Sequence, residues 1–483
     1  MPKTIFNTTE KSNFILNMKT EEYQNYLLKI LTGYLILMPL FCIPLEFFKI
    51  YSVPGIAFSI IGVLAMVFTL IGFMKQVTSK SLYLPAALLG GMVIWGIVSL
   101  INSYYYDVSL VGSDGRNEGL LSVVFYGCIF LLGAQLGTEQ NQRKLLDAML
   151  WFGLAQCVWA MLQALPIGMP SYYQNLEPML LFRVFLPSGL TGSPIFLAIL
   201  LVMLSVPAMM GAAFAEEKKK RIFYCICAAV FVLMAVKTQC VLGVCGSALA
   251  ILGFAVYALI KRGGKQALTK FAAVLAAFVL GIGWIYVSPS MNGLFSRNTG
   301  KETAVENSIS LYDGGIIWED GSYRLSVSGY YVSRGTNNPN GHFVIEDIVD
   351  SYGYLWRGTL GIIKRFPLVG SGPDSLVYPQ MYQHREIMSN PNAFDRCYNY
   401  YLHLAGTLGI PALVLYLALI GIVVFRGGKS CKKGNWLHAG IYGAVLMYLL
   451  MMVIGASSIT TAPIFWMLAG ILMTDRKTTA ETK

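Results

Sequence analysis

Apolar residues in this chain fall in blocks of roughly 17–25, the length a helix needs to cross the hydrocarbon core of a bilayer. About twelve blocks can be drawn, the seventh and the last shorter than the rest, near 26–48, 55–74, 86–102, 120–137, 148–165, 195–214, 222–236, 240–260, 271–287, 403–425, 437–456 and 462–474. A polar interval, 288–402, separates the ninth from the tenth. Within it, IIWEDGSYRLSVSGYYV (Ile316–Val332) changes period. Tyr323, Leu325 and Val327 alternate with Arg324, Ser326 and Ser328, and Asp320–Gly321 is a hairpin turn signal. Further on, DSYGYLWRGTLGIIKRF (350–366) returns to helical spacing, with Leu355, Leu360 and Ile363 toward one face and Arg357, Lys364 and Arg365 elsewhere. PLVGSGPDS (Pro367–Ser375) ends that helix, and its Gly370–Ser371–Gly372–Pro373 turn could present backbone N–H groups to an anion.

The fold expected is therefore an all-α polytopic membrane protein with about twelve transmembrane helices and one large extracytoplasmic loop domain between the ninth and tenth. A small β-hairpin in that domain is read as a structural element, although its aromatics could also stack on sugar faces. The divisions are an N-terminal tail (1–25), nine helices (26–287), the loop domain (288–402), three helices (403–474) and a C-terminal tail (475–483). Residues 1–25 are polar and mixed in charge, so a cleavable signal peptide is not expected.

Charge sets the expected orientation. With the N-terminus inside, the inside segments hold 22 Lys/Arg, including Lys218–Arg221 and Arg426–Lys433. The short outside loops carry only Lys49, Arg116, Arg183 and Lys237. Lysine and arginine beside a span resist translocation, which places both termini in the cytoplasm and the 288–402 loop outside the cytoplasmic (inner) membrane. The net charge of +11 is largely this bias, and nucleic-acid binding is not inferred from it. Of nine cysteines, Cys397 is the one in the large loop, which argues against a disulfide framework.

Four segments in order suggest a family: GRNEGLL (Gly115–Leu121), LPSGLTGSPIFLA (Leu186–Ala198), YGYLWRGTLGIIKRFPLVGSGPDSL (Tyr352–Leu376) and CYNYYLHLAGTLGIPALVLY (Cys397–Tyr416). Together they resemble the O-antigen ligase and Wzy-type O-antigen polymerase superfamily, across most of 100–425. The resemblance implies transfer of a glycan from an undecaprenyl-diphosphate carrier to a glycan or surface acceptor on the outer side of the membrane. It also implies bilayer residence, polysaccharide-assembly proteins as partners, and chemistry without a metal or other cofactor. Arginines would hold the diphosphate and a nearby base would take the acceptor proton.

The sequence departs from the family at three places. Tyr398 stands where the family has its histidine, Tyr352 where it has an arginine four residues before Trp356, and Thr238–Gln239–Cys240–Val241 lacks a third arginine, with Lys237 alongside. The LPSGLTGSPIFLA segment also departs at Ser193 and Ile195, near Arg183. Asp395 and Tyr398 are then the catalytic candidates, while Arg116, Glu118, Arg357, Arg396 and Asn399 are the candidates for substrate binding. His403, four residues after Asn399 and near the membrane edge, and His384 are further possible bases. Ligase and polymerase chemistry stay open alternatives. A non-catalytic relative that binds lipid-linked glycan is a second reading. A transporter or flippase fits less well, because Glu46 is the only acidic residue well inside an apolar run.

Overall fold

In lipid a backbone must satisfy its own polar groups, so long apolar runs resolve into helices. The computed structural model describes residues 18–48, 53–75, 77–113, 116–164, 187–238, 240–260, 264–287, 315–319, 322–326, 345–376, 396–432 and 435–474. In chain order its helices are α1 (Thr20–Phe48), α2 (Val53–Met74), α3 (Tyr83–Ile101), α4 (Tyr106–Val111), α5 (Leu120–Ala134), α6 (Glu139–Ala164), α7 (Pro194–Phe214), α8 (Lys218–Lys237), α9 (Val241–Ile260) and α10 (Gly264–Val287). After these come α11 (Ile345–Arg365), α12 (Tyr400–Leu408), α13 (Ile410–Lys432), α14 (Trp436–Met451) and α15 (Ala462–Ile471). Among the described residues, seven helices are long and apolar enough to cross a membrane: α1, α2, α3, α6, α7, α9 and α13. Shorter apolar helices occur at Leu120–Ala134, Thr269–Trp284, Trp436–Met451 and Ala462–Ile471. The chain is a multi-pass membrane protein.

Helix α7 is the axis of the bundle. Every residue from Pro194 to Ala213 is buried, against α8 on one side and α14 on another. A helix apolar on every side has no polar face that must meet water, so it can be enclosed by its neighbours without leaving polar side chains stranded. Ser193 caps its start by accepting from the Ile195 N–H at 3.3 Å, and Pro194 occupies the first turn, where a missing N–H costs nothing. The turn before it is bracketed from α6. Gln163 Oε1 accepts from the Ser188 and Gly189 amides at 3.1 and 2.8 Å, and Gln156 Oε1 accepts from Leu190 N at 2.7 Å.

The hairpin signal corresponds to two strands, β1 (Gly315–Glu319) and β2 (Ser322–Ser326). They pair antiparallel with Trp318 opposite Tyr323 and Glu319 opposite Ser322, flanking Asp320–Gly321. Residues 327–332 of that segment lie outside the described residues.

Three expectations need correction. The tenth block is not one helix: it breaks between α12 and α13 at Gly409, whose φ is +88°. A Cβ there would run into the Leu368 carbonyl, so the 367–370 turn can approach only because the residue is glycine. The Gly370–Pro373 turn does not offer its amides to an anion. Ser371 N and Gly372 N donate to the Gly406 and Thr407 carbonyls at 2.9 and 3.0 Å. Those carbonyls are available because α12 stops at Leu408 and leaves its last turn without intrahelical donors. Leu360 does not share a face with Leu355. The buried stripe of α11 is Leu355, Thr359 and Ile362, spaced i, i+4, i+7, while Leu360 lies 42% exposed beside Arg357 and Lys364.

Gly372 (φ +111°) is wedged against Ser103 and Ser109, so Gly372→Ala meets both a disallowed backbone and a blocked Cβ. We expect it to cost about 1–3 kcal/mol. Gly283→Ala, in α10 with open space around it, should be neutral or stabilising by up to about 1 kcal/mol. Thermal unfolding of the two variants in one detergent measures the difference.

Candidate functional site

At one end of the bundle four segments converge: the turn 112–119 after α4, the turn 370–376 after α11, residues 396–403 entering α12, and the connection 452–461 between α14 and α15. Arg116 joins them. Its Nε lies 2.9 Å from Asp374 Oδ1 and its Nη2 3.1 Å from Glu118 Oε2, with both carboxylates buried. The same Nη2 lies 3.1 Å from His403 Nε2.

That last contact fixes a protonation state. A guanidinium has only donors, so His403 Nε2 must be the acceptor and the ring proton sits on Nδ1. The imidazole is neutral in this arrangement. Arg116, Asp374 and Glu118 together therefore carry a net charge of −1.

Each carboxylate is held from a second direction. Asp374 Oδ2 accepts from the Ser113 amide and hydroxyl at 2.8 and 3.1 Å. Glu118 Oε1 accepts from Tyr126 Oη at 3.0 Å and from Ser457 Oγ at 2.5 Å. Asn117 and Asp374 both adopt φ of +55°, a left-handed conformation that Asn and Asp tolerate better than most residues.

The opening of α12 is equally constrained. Asn399 is its N-cap, with Oδ1 accepting from Leu402 N at 3.0 Å, which gives this candidate binding residue a structural duty. Tyr400 N donates to the Met452 carbonyl at 2.9 Å and Tyr401 Oη to the Leu449 carbonyl at 2.8 Å. Tyr398 is buried at 1% exposure with φ of +48°, an uncommon backbone state for an aromatic residue. Cys397 is buried beside it, and burial pushes its thiol up to about 11.

The remaining candidates divide. Arg396 is buried and its guanidinium carbon lies 4.9 Å from the centre of the Phe196 ring, at the start of α7. Arg357 is exposed and turned onto its own helix, donating from Nε to the Gly353 carbonyl at 3.1 Å. Lys237 ends α8 fully buried, its Nζ 4.7 Å from the centre of the Trp284 ring and without a hydrogen-bond acceptor among the described residues. Asp395, Arg183 and His384 lie outside the described residues, as does the side chain of Tyr352.

The structure thus brings Arg116 and Glu118 together with three residues that sequence reasoning did not assign there. His403 was placed at the membrane edge. Asp374 was hidden in a turn read for its amides. Ser457 belongs to Ser457–Ser458 and Thr460–Thr461, a hydroxyl cluster between two apolar runs whose position was the available signal. Among the described residues no three His, Cys, Asp or Glu side chains are grouped to hold a metal ion.

The family model described as O-antigen ligase matches residues 223–417, from α8 into α13. No curated protein and no solved structure matches the chain. Asp374 and His403 lie inside the matched stretch; Arg116, Glu118 and Ser457 lie outside it.

Breaking a buried ion pair from one side leaves an uncompensated charge. Arg116→Ala should therefore cost about 3–5 kcal/mol. The double variant Arg116→Gln, Asp374→Asn should cost less than the sum of its single changes, as read from the folded fraction on size exclusion and from thermal unfolding. At pH 8 a thiol titrating near 11 is ionised only to about one part in a thousand. Cys397 should stay unmodified by iodoacetamide in the folded protein and react fully after denaturation, scored by peptide mass spectrometry.

Proposed function

We propose that this chain, a member of the O-antigen ligase superfamily through its match over residues 223–417, is a membrane glycan-transfer enzyme of the ligase or polymerase type. Its donor on this reading is a glycan on an undecaprenyl-diphosphate carrier, and its acceptor a second glycan or a surface molecule. The reaction takes place on the outer side of the cytoplasmic membrane, with both termini inside and residues 288–402 outside. One observation carries the proposal. The buried Arg116–Asp374–Glu118–His403 cluster joins the family-matched stretch to the turn before α5, at the end of the bundle where the chain re-enters through α12.

The geometry redistributes the roles that sequence suggested. Arg116 is already paired with two carboxylates, so its part is to hold the four segments in register and to keep His403 neutral. A neutral imidazole is the protonation state a general base needs near pH 7. We therefore assign the acceptor proton to His403, in place of Tyr398, whose normal pKa near 10 makes it a poor base at that pH. An incoming hydroxyl would compete with Arg116 for the Nε2 lone pair. On this reading Arg396, next to the segment that leads to His403, would meet the leaving diphosphate, with Lys237 as a second buried cation. Asp395 stays a candidate base beside Arg396 in sequence.

A second reading has its own support. The double pairing of Arg116 also suits a relative that binds lipid-linked glycan without turning it over, within a polysaccharide-assembly complex. Purified protein given a lipid-diphosphate oligosaccharide separates the two. Release of carrier diphosphate with lengthened or transferred glycan supports the enzyme, and carrier binding without release for any acceptor supports the binding protein. Product length then distinguishes polymerase from ligase. For the enzyme, His403→Gln should lower turnover about 10²–10⁴-fold, the usual cost of a lost general base. Tyr398→Phe should stay within a few-fold of the unmodified chain. Equal loss in both variants would return the base to Tyr398.

A further inference from the structure

Where α11 ends, its exposed side and the turn after it carry a repeating pattern: Arg357, Leu360, Lys364, Arg365 and Leu368, all exposed, with Leu368 at 62%. From Tyr352 to Val369 the sequence has three basic residues and no acidic one. The opposite stripe of the helix is buried against α12, so this side faces away from the bundle.

Two contacts fix its height against the bundle. Trp95 Nε1 donates to the Leu368 carbonyl at 2.9 Å, and Ile410 N donates to the Pro367 carbonyl at 2.8 Å. Trp95 lies six residues inside the end of α3, about 9 Å along its axis. Exposed apolar stripes begin beside both contacts: Ile94, Ile97 and Ile101 on α3, and Ile410, Val414 and Leu417 on α13. Residues with those exposures on spans long enough to cross the membrane face lipid acyl chains. Leu368 therefore sits between two lipid-facing stripes and below the end of one.

We propose that this face docks on the membrane surface, with Leu360 and Leu368 in the acyl boundary and Arg357, Lys364 and Arg365 on the phosphates of anionic phospholipid headgroups. The apolar stripe of α11 is used against α12, but its exposed side combines two leucines with three basic residues, so apolar insertion and attraction to anionic lipid can act together there. Charge complementarity selects an anionic headgroup over a zwitterionic one. Docking would anchor α11, and through it the 370–376 turn that carries Asp374, to the bilayer rather than to the helices alone. This inference needs only the membrane location of the chain and is independent of the reaction proposed above.

Hydrogen–deuterium exchange of the full chain in nanodiscs tests it locally. Discs of phosphatidylcholine are compared with discs containing about a third phosphatidylglycerol, a fraction well inside the anionic range to which such surfaces respond. We expect peptides covering 357–370 to exchange several-fold more slowly in the anionic discs, and the difference to shrink at high salt. Lys364→Gln with Arg365→Gln, both exposed and outside the buried stripe, should abolish the difference while peptides of α7 stay unchanged. Equal exchange in both discs would overturn the proposal. A difference that survives the double substitution would overturn it too, and would assign this face to another segment of the chain or to a protein partner.

Discussion

A buried arginine whose charge is answered from both sides is the constraint on which the rest of this end depends. Arg116 comes from a turn before α5, Asp374 from the turn after α11, and His403 from α12. None of these segments neighbours another in sequence. A guanidinium taken out of water is tolerated only with close counter-charges, so the three must meet or the region does not form. Glu118 extends the requirement to the α14–α15 connection through Ser457. Parts of the chain more than three hundred residues apart are thereby set to within hydrogen-bond tolerance of one another.

The break at Gly409 is the complementary backbone device. Had α12 continued into α13 as one helix, the Gly406 carbonyl would have taken the Ile410 N–H, while the Thr407 carbonyl is left open in either case because Pro411 has no N–H. The Ser371 amide would then have lost its acceptor. The helix break exposes the first acceptor and Pro411 the second, and the glycine-rich turn fills both while swinging Asp374 toward Arg116. Ser99 Oγ adds a third donor, to the Thr407 carbonyl at 3.0 Å. Sequence features that look like an anion cradle are used here to close one piece of protein on another.

The helical blocks were legible because lipid enforces a long apolar run, a signal carried by every residue in it. Less local features were not. That Leu360 points away from Leu355 follows from rotation of about 100° per residue once a helix start is fixed, yet a five-residue spacing looks apolar-periodic when counted loosely. Gly409 was visible as a glycine, but its helix-breaking role depends on Leu368 arriving beside it, which sequence order does not show. The same holds for the site. Arg116 and Glu118 were legible from their own short motif, whereas Asp374 and His403 acquire meaning only when that arginine reaches them. Tyr398, which stands where the resemblance expects a histidine, is buried.

These points bear on how a diphosphate could be accommodated on the proposed reading. A cluster of one cation and two carboxylates repels an anion more than it attracts one, so the most recognisable arginine of the sequence is the wrong place to look for the leaving group. Two other buried cations lie over aromatic rings, Arg396 over Phe196 and Lys237 over Trp284. An aromatic face supports a cation without neutralising it. Arg396 adjoins the segment that leads to His403, so charge stabilisation and proton transfer would be served from the same entry into α12.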